Sequence, residues 1–298
     1  MYHSTFVLKK KQYDKITNYE LIKMIGKGTT SEVWLCKNKT TQETSAIKII
    51  TKSYLHETLA HEDLLNEINI LKKLSKHHWI INLKSQFSNQ HAFFLSLDYL
   101  PDGNLLQKIR SKTFDKNLIR FYVAQLAIVL DYLEYKSILH GDLKPENILI
   151  GKDGYIKLTD FGLSKDLSNK NHRTNGLIGT SFYLAPEILL GNDYSYSIDW
   201  YSLGIIMFEM LTGEPPFKDN HDVFGISKEI IHGKISYPKE ITSQEIDLIS
   251  KLTNKNSSTR YSSLFQVSHH PWFDGFDWVG VILNLATYPY TRESIWLK

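Results

Sequence analysis

Cysteine is nearly absent from this chain. Cys36 is the only one among 298 residues, so no intramolecular disulfide can form, and a reducing, intracellular compartment is favoured, the cytoplasm first and the nucleus as an alternative. Long apolar runs are missing as well, since the longest, 203–211 and 278–283, are far below the roughly 20 residues that cross a bilayer. The formal net charge is only +3, without a long basic run. We therefore expect no disulfide scaffold, no membrane span and no nucleic-acid partner.

Two different sequence patterns divide the chain. Up to about residue 99 it reads as short strands separated by turn-forming residues, with one helical stretch at 62–74. The predicted strands are 19–25, 32–37 and 45–50. Beyond about residue 102 the pattern is mostly helical, and the stretch 199–211 is apolar nearly all round, which is typical of a buried helix. The sequence predicts an α+β fold with two lobes, one small and β-rich with one main helix, the other larger and mostly helical.

Two glycines mark the first segment of chemical interest. Residues 25–33 read Ile-Gly-Lys-Gly-Thr-Thr-Ser-Glu-Val and lie between two predicted strands. Glycine lets backbone N–H groups approach phosphate oxygens because no Cβ stands in the way. The strand that follows disfavours a dinucleotide-binding turn, and the missing Gly-Lys-Ser/Thr ending excludes a P-loop. Taken alone, the segment is also compatible with an ordinary β-turn.

A lysine stands inside the third predicted strand, where residues 46–48 read Ala-Ile-Lys. A lysine in apolar surroundings needs a counter-charge, and the predicted helix offers Glu67. A Lys48–Glu67 pair would hold the ammonium where it can bind phosphates. Taken alone, a surface lysine beside an unrelated glutamate explains the pattern equally well.

The decisive segments lie in the helical half of the chain. Residues 140–147 read His-Gly-Asp-Leu-Lys-Pro-Glu-Asn, and Asp-Phe-Gly follows at 160–162, directly after a predicted strand at 155–158. Phosphoryl transfer asks a protein mainly for in-line placement of the reactants and for cations that neutralise oxygens. These two motifs, in this order and at this spacing, are too specific to occur together by chance.

Four side chains of these segments have the types that this chemistry needs. The oxygens of Asp160 and Asn147 suit Mg²⁺, which prefers carboxylate and amide ligands. The separate carboxylate of Asp142 can orient an attacking hydroxyl and accept its proton. Lys144 can neutralise the moving phosphoryl group.

In this order the motifs resemble the catalytic domain of eukaryotic protein kinases, from about residue 19 to 273. The match includes Ala-Pro-Glu at 185–187, Asp-x-Trp-x-x-Gly at 199–204 and Gly-Glu-Pro-Pro-Phe at 213–217. The aromatic stretch at 270–290 is most similar to the AGC group, which includes the cyclic-AMP-dependent protein kinase. The calmodulin-dependent group is the rival placement.

The resemblance implies a division of the chain and one buried ion pair. The parts are an extension at 1–18, a kinase domain at 19–273 with lobes at about 19–98 and 103–273, and a tail at 274–298. The ion pair would join Glu187 to Arg260, and its loss should be destabilising because one buried charge would remain uncompensated.

The resemblance also implies a reaction and a set of site residues. The reaction is transfer of the γ-phosphoryl group of Mg·ATP to serine or threonine hydroxyls of protein substrates. The implied catalytic residues are Lys48, Glu67, Asp142, Lys144 and Thr180, with Thr180 bridging Asp142 and Lys144. The implied nucleotide-binding residues are Ile25, Gly26, Lys27, Gly28, Thr29, Thr30, Ser31, Val33, Ala46, Lys48, Asp98, Leu100, Asn147, Leu149 and Asp160. The implied magnesium ligands are Asn147 and Asp160.

Several positions bear on the substrate that the resemblance implies. Lys144 in the catalytic loop is similar to serine/threonine kinases, and Leu163 after Asp-Phe-Gly resembles kinases that favour serine. Glu146 and Glu209 match acidic positions that bind an arginine upstream of the acceptor, through bidentate contacts. Asn104 stands where a further acid is common, which weakens one arginine contact. We expect a preference for basic residues upstream of the acceptor.

The chain departs from the family pattern around the activation segment, the stretch between Asp-Phe-Gly and Ala-Pro-Glu. Gly141 replaces an arginine that normally pairs with a phosphate on this segment, and Gly176 stands where that phosphothreonine is found. Asp63 stands where related kinases often carry another basic residue. Of the basic residues expected to bind the phosphate, only Lys165 remains. We therefore expect the segment to be ordered without phosphorylation there, with Thr174 as the nearest alternative acceptor.

Two competing functions stay open. A pseudokinase would use the same fold to bind nucleotide and partners without catalysis. Against it, two departures from the family pattern remove no phosphate, metal or base contact: Ser31, in place of the third glycine of Gly-x-Gly-x-x-Gly, and Gly141. A kinase of small molecules is disfavoured by the activation segment and Ala-Pro-Glu. The partners implied are protein substrates, and a regulatory protein or subunit is left open.

Overall fold

The computed structural model describes residues 14–28, 31–53, 61–75, 77–111, 114–169, 172–176, 178–217 and 223–283. Backbone contacts divide the chain into two compact units. The smaller combines Met1–His61 with Leu83–Tyr99, and the larger combines Glu62–Asn82 with Leu100–Lys298. Among the described residues, no helix is both long enough and apolar enough to cross a membrane.

The smaller unit is an antiparallel sheet with the order β1-β2-β3-β5-β4. Its strands are β1 (Tyr19–Lys27), β2 (Ser31–Asn38), β3 (Thr44–Thr51), β4 (Leu83–Ser88) and β5 (Ala92–Leu97). One face buries a cluster that includes Tyr19, Cys36, Ile47 and Phe94. Burial raises the pKa of the Cys36 thiol to about 11, so this cysteine packs as a small apolar side chain.

The larger unit is mostly helical. Its helices are α1 (His61–Leu74), α2 (Leu105–Arg110), α3 (Lys116–Tyr135), α4 (Pro186–Leu189), α5 (Ser197–Thr212), α6 (Val223–His232), α7 (Ser243–Leu252), α8 (Leu264–Ser268) and α9 (Trp278–Leu283). Two short antiparallel ribbons accompany them, β6 (Ile138–Leu139) with β9 (Lys165–Asp166), and β7 (Ile148–Ile150) with β8 (Ile156–Leu158). The predicted α+β class, with a β-rich and a helical part, is confirmed.

Helix α5 is the centre of the larger unit, as its apolar sequence predicts. It packs against α3 and α7, and Trp200 and Leu203 are completely buried. Gly204 is required at the contact with α7, because a Cβ there would lie 2.7 Å from Cγ2 of Thr253, well inside van der Waals distance.

Two polar contacts of helix α1 lie within the larger unit. Nδ2 of Asn66 donates to the carbonyl oxygen of Ser164 at 2.7 Å, and Nζ of Lys73 lies 2.8 Å from a carboxylate oxygen of Asp166. The sequence places this helix in the small lobe because it falls between strands of the sheet. Both of these contacts are made with β9 or with the residue directly before it.

Candidate active site

The catalytic loop, residues 140–147, is held by one buried carboxylate from α5. Oδ2 of Asp199 accepts the N–H of His140 at 2.8 Å, and Oδ1 accepts the N–H of Gly141 at 2.9 Å. Complete burial raises the pKa of Asp199, while His140 and these two N–H groups act in the opposite direction. A buried carboxylate that receives two backbone donors fixes the loop to the helix.

A triangle of charged and hydroxyl groups follows in the loop. Nζ of Lys144 lies 2.7 Å from Oδ2 of Asp142 and 2.7 Å from Oγ1 of Thr180. The Thr180 hydroxyl donates to Oδ1 of Asp142 at 2.8 Å. The bridge that the sequence predicts is therefore present, and the carboxylate of Asp142 is oriented from both sides.

Asn147 and Asp160 are placed by the β7–β8 ribbon. Asn147 directly precedes β7, and Thr159 and Asp160 directly follow β8, so antiparallel pairing puts them at the same end. The N–H of Thr159 donates to the carbonyl oxygen of Asn147 at 2.9 Å. Asp160 is exposed and has φ of +64°, a conformation that is uncommon outside glycine.

The donor set at this end of the ribbon fits a hard divalent cation. Nδ2 of Asn147 donates to the carbonyl oxygen of Asp142 at 2.9 Å and to its Oδ2 at 3.2 Å. These bonds fix the amide so that Oδ1 is its outer end, and this oxygen has no hydrogen-bond partner among the described residues. With the carboxylate of Asp160, it offers the oxygen ligands that Mg²⁺ prefers.

His140 joins the catalytic loop to the Asp-Phe-Gly segment. Its Nδ1 receives the N–H of Asp142 at 3.3 Å, so Nε2 carries the proton and donates to the carbonyl oxygen of Thr159 at 3.2 Å. Its ring packs edge-on against Phe161, with centroids 5.0 Å apart. The Ser164 hydroxyl donates to the His140 carbonyl oxygen at 2.9 Å. The two motifs are thus one packed structure.

The smaller unit carries most of the predicted nucleotide-binding residues. Strand register places Gly26 beside Val33, and Val33 beside Lys48. The N–H of Gly28 donates to the carbonyl oxygen of Ser31 at 2.8 Å, which closes the glycine-containing turn. Also in this unit are Ile25, Lys27, Ala46 and Asp98. Thr29 and Thr30 lie outside the described residues.

The larger unit carries the remaining predicted site residues. These are Glu67, Leu100, Asp142, Lys144, Asn147, Leu149, Asp160 and Thr180. The structure brings Asp142, Lys144, Asn147 and Thr180 into one hydrogen-bonded group. The pairing of Lys48 with Glu67 joins residues of different units and stays a prediction.

Comparison with known proteins decides the family. The sequence matches the protein kinase domain over residues 19–273.

This chain belongs to the protein kinase domain family.

Its relatives are named serine/threonine kinases. A RAC family serine/threonine-protein kinase homolog of Dictyostelium discoideum is 35% identical over 272 residues, which are 91% of this chain and 61% of that protein. The serine/threonine-protein kinase AtPK1/AtPK6 of Arabidopsis thaliana is 35% identical over 268 residues, 88% of this chain and 57% of that protein. The human cAMP-dependent protein kinase catalytic subunit PRKX is 35% identical over 271 residues, 89% of this chain and 74% of that protein.

This kinase domain therefore spans less than two thirds of the length of the first two of these relatives. The predicted resemblance to serine/threonine protein kinases, and among them to the AGC group, is confirmed. Membership implies ATP as a substrate, together with a divalent cation.

Lys165 contacts the activation segment of this kinase domain around residues 174–175. Nζ of Lys165 lies 3.2 Å from Oγ1 of Thr174, 2.8 Å from the carbonyl oxygen of Asn175 and 3.0 Å from the hydroxyl of Tyr194. Thr174 and Tyr194 also exchange both backbone hydrogen bonds, at 3.0 and 2.8 Å. All of these partners are neutral.

A buried acid lies near the end of the activation segment. The hydroxyl of Tyr183 donates to Oε2 of Glu209 at 2.7 Å. Burial raises the pKa of Glu209 to about 7, with a further contribution from the negative charge of Glu146, while Tyr183 and Arg110 favour the charged form. Glu209 therefore changes its charge near neutral pH.

Sequence reasoning missed two contributors to the site. Asp199 was recognised as part of a motif, but its role as the acceptor for the catalytic loop was not, although a buried acid in an apolar helix signals such partners. The second is Ile178, whose Cδ1 would lie 2.7 Å from a Cβ added at Gly141, and nothing in the sequence signals this contact.

Proposed function

We propose that this protein is an active kinase that transfers the γ-phosphoryl group of Mg·ATP to serine or threonine hydroxyls of protein substrates. The observation that carries the proposal is the triangle of Asp142, Lys144 and Thr180, with Asn147 bonded to the same carboxylate. We place the kinase domain at 19–273, between an extension at 1–18 and a tail at 274–298. The single buried cysteine supports an intracellular, cytoplasmic location.

Each side chain of the triangle has a distinct task in this reaction. Asp142 accepts a hydrogen bond from the substrate hydroxyl, aims it at the phosphoryl group and receives its proton. Lys144 helps to orient that carboxylate and neutralises charge on the transferring group. Asn147 and Asp160 would hold the cation, and Lys48 would bind the phosphates, with Glu67 as its counter-charge. Bound Mg²⁺ supplies positive charge at the phosphate oxygens.

We further propose a preference for arginine upstream of the acceptor. Glu209 is buried, partly screened by Tyr183, and close enough to Glu146 for the two charges to repel. An arginine guanidinium satisfies two such carboxylates better than any neutral side chain. Asn104 caps α2 through its bond from the N–H of Gln107 at 3.0 Å, so a third acid is replaced by a helix cap.

Order in the activation segment without phosphate is also part of the proposal. The cation of Lys165 is already coordinated by Thr174, Asn175 and Tyr194. A phosphate is not needed to give this lysine partners, which supports activity without modification at position 174 or 176.

The proposal is tested with a library of basic peptides carrying either Ser or Thr, and with recombinant full-length chain treated with phosphatase. We expect Mg·ATP-dependent labelling that favours serine and is lost in Asp160→Ala. The exposed carboxylate variant Asp193→Ala serves as the control and should keep the wild-type rate. A protein that binds ATP without any need for magnesium and labels no peptide would be a pseudokinase, and the proposal would be wrong.

A further inference from the structure

The catalytic loop and the activation segment touch at a position where a side chain would displace its neighbour. Gly141 has φ of +78°, and a Cβ there would lie 2.7 Å from Cδ1 of Ile178 and 3.2 Å from the carbonyl oxygen of Leu163. Carbon atoms in contact normally stay about 3.5–4.0 Å apart. The end of the Ile178 side chain therefore occupies the space beside the Gly141 Cα.

The neighbouring residue of the activation segment approaches the same loop with its backbone. Gly179 has φ of +94°, and a Cβ there would lie 2.8 Å from the carbonyl oxygen of Gly141 and 2.8 Å from Cδ2 of Leu184. The catalytic loop and the activation segment therefore each have a glycine where they cross. The contact is tight on both sides, so a change in one segment must move the other.

The hydrogen bond between Thr180 and Asp142 is made by the next residue of each segment. Asp142 follows Gly141, Thr180 follows Gly179, and their side chains share the 2.8 Å hydrogen bond. The N–H of Gly141 is also one of the two donors that Asp199 holds. Displacement at the glycine crossing is therefore transmitted directly to the carboxylate of Asp142.

We propose that Ile178 is a positioning residue, whose apolar contact with Gly141 holds Thr180 against Asp142 and keeps the catalytic loop in its working geometry. This inference rests on the proposed kinase function and concerns how that site is kept in order. Its chemistry is packing alone, so it works in the same way whether or not the activation segment carries a phosphate.

The contact can be tested at the level of a single atom. Valine lacks the Cδ1 atom of isoleucine, and Cδ1 is the atom that lies 2.7 Å from the added Cβ, whereas Cγ1 of Ile178 lies 3.8 Å away. Ile178→Val therefore makes room for Gly141→Ala with minimal other change. The matched control is Gly154→Ala, because Gly154 has φ of +80° and nothing within 4 Å of its Cβ position.

Kinetics of the purified full-length chain give the first measurement. Gly141→Ala is expected to lower kcat about tenfold, since small displacements of reacting groups are costly, and to leave the KM for ATP within about twofold. Gly154→Ala shares the backbone strain and should keep kcat within about twofold. In the Gly141→Ala background, Ile178→Val should restore kcat at least about threefold, as expected for residues in contact.

Hydrogen exchange gives a second measurement that does not depend on activity. Backbone amides of residues 178–184 should exchange faster in Ile178→Ala and in Gly141→Ala than in wild type, with partial recovery in the Gly141→Ala/Ile178→Val double variant. Melting temperatures distinguish a local effect from loss of the fold. If Gly141→Ala does not fold, the exchange comparison is made with Ile178→Ala alone.

Three results would overturn the inference. The first is a Gly141→Ala/Ile178→Val double variant whose kcat is reduced by the product of the two single reductions. The second is an equal reduction of kcat in Gly141→Ala and Gly154→Ala. The third is hydrogen exchange at residues 178–184 that is the same in Ile178→Ala and Gly141→Ala as in wild type. A wild-type protein that labels no peptide contradicts the proposed function instead. In that case the hydrogen-exchange pattern still decides whether the contact of Ile178 with Gly141 holds the activation segment against the catalytic loop.

Discussion

The catalytic loop at 140–147 and the activation segment, described at 172–176 and from 178 onward, touch each other but are held in different ways. The loop is fixed by a buried carboxylate, that of Asp199, which accepts two backbone N–H groups. The segment is held there by hydrogen bonds from Lys165 to three neutral oxygens, by contacts with Tyr194 and by the packing of Ile178. Both sets of hydrogen bonds have one charged partner, but Asp199 is buried whereas Lys165 is half-buried. Because such bonds are stronger in a low local dielectric, the loop is the more rigidly determined region.

The far end of the activation segment again relies on buried charge. Arg260 donates from Nη1 and Nη2 to the two carboxylate oxygens of Glu187 at 2.6 and 2.8 Å, and from Nη1 to the carbonyl oxygen of Ser197 at 3.1 Å. The segment is thus anchored strongly at its end and weakly at its centre. Its centre is the region in which a changed contact can alter activity without unfolding the protein.

The largest effect is expected from Glu187→Ala. Removing one partner of a buried pair leaves the guanidinium of Arg260 uncompensated and should lower the free energy of unfolding by about 3–5 kcal/mol. Urea denaturation followed by circular dichroism measures this. The control is Lys251→Ala, which breaks an exposed pair with Asp247 and should change stability by less than about 1 kcal/mol. Similar changes in both variants would contradict the prediction.

A smaller effect, confined to the rate, is expected from Asp199→Asn. An amide has one accepting oxygen, and its NH₂ group would face one of the two N–H groups that Asp199 now receives. The catalytic loop should shift and kcat should fall about 100-fold, while Asp193→Asn, an exposed position, should have the wild-type rate. Steady-state kinetics with a basic peptide provides the comparison, and an unchanged kcat in Asp199→Asn would show that the carboxylate does not fix the loop.

Substrate preference should depend on pH through Glu209. Its pKa is raised to about 7, so protonation as the pH falls through that value removes the negative charge that attracts arginine. The preference for an arginine peptide over its alanine counterpart should fall about tenfold between pH 8 and pH 6. In Glu209→Gln the preference should be weak at both pH values. A constant preference in the wild type would argue against Glu209 as the arginine site.

The smallest effect is expected from Thr174→Ala, with kcat within about twofold of wild type, because Lys165 retains Asn175 and Tyr194 as hydrogen-bond partners. The bond that is lost has a charged donor and contributes about 1.5–3 kcal/mol at most, and it does not involve the reacting groups. Thr180→Ala makes the same chemical change in the Asp142 bridge and should lower kcat about tenfold or more. Abolished activity in Thr174→Ala, together with phosphate on Thr174 in the active form, would show that the segment depends on phosphorylation.

Sequence patterns were sufficient for the fold class and for the strongest elements. Short stretches separated by turn-forming residues predicted β1 to β3, and the apolar run at 199–211 predicted the buried helix α5, since an all-round apolar helix is a buried one. The ion pair between Glu187 and Arg260 was expected from their positions in family motifs. The contact of Asn66 in α1 with Ser164 was not predicted, because it joins residues far apart in the chain.

By itself, the sequence determined the family and the residue types of the site, because phosphoryl transfer requires particular carboxylate, amide and lysine side chains at fixed positions in short motifs. Only the tertiary structure decided how those motifs are supported: that Asp199 accepts the catalytic loop, that Lys165 binds neutral groups, and that Ile178 fills the space beside Gly141. The physical reason is that motifs record local chemistry, whereas support depends on packing distances of a few ångströms between segments distant in the chain.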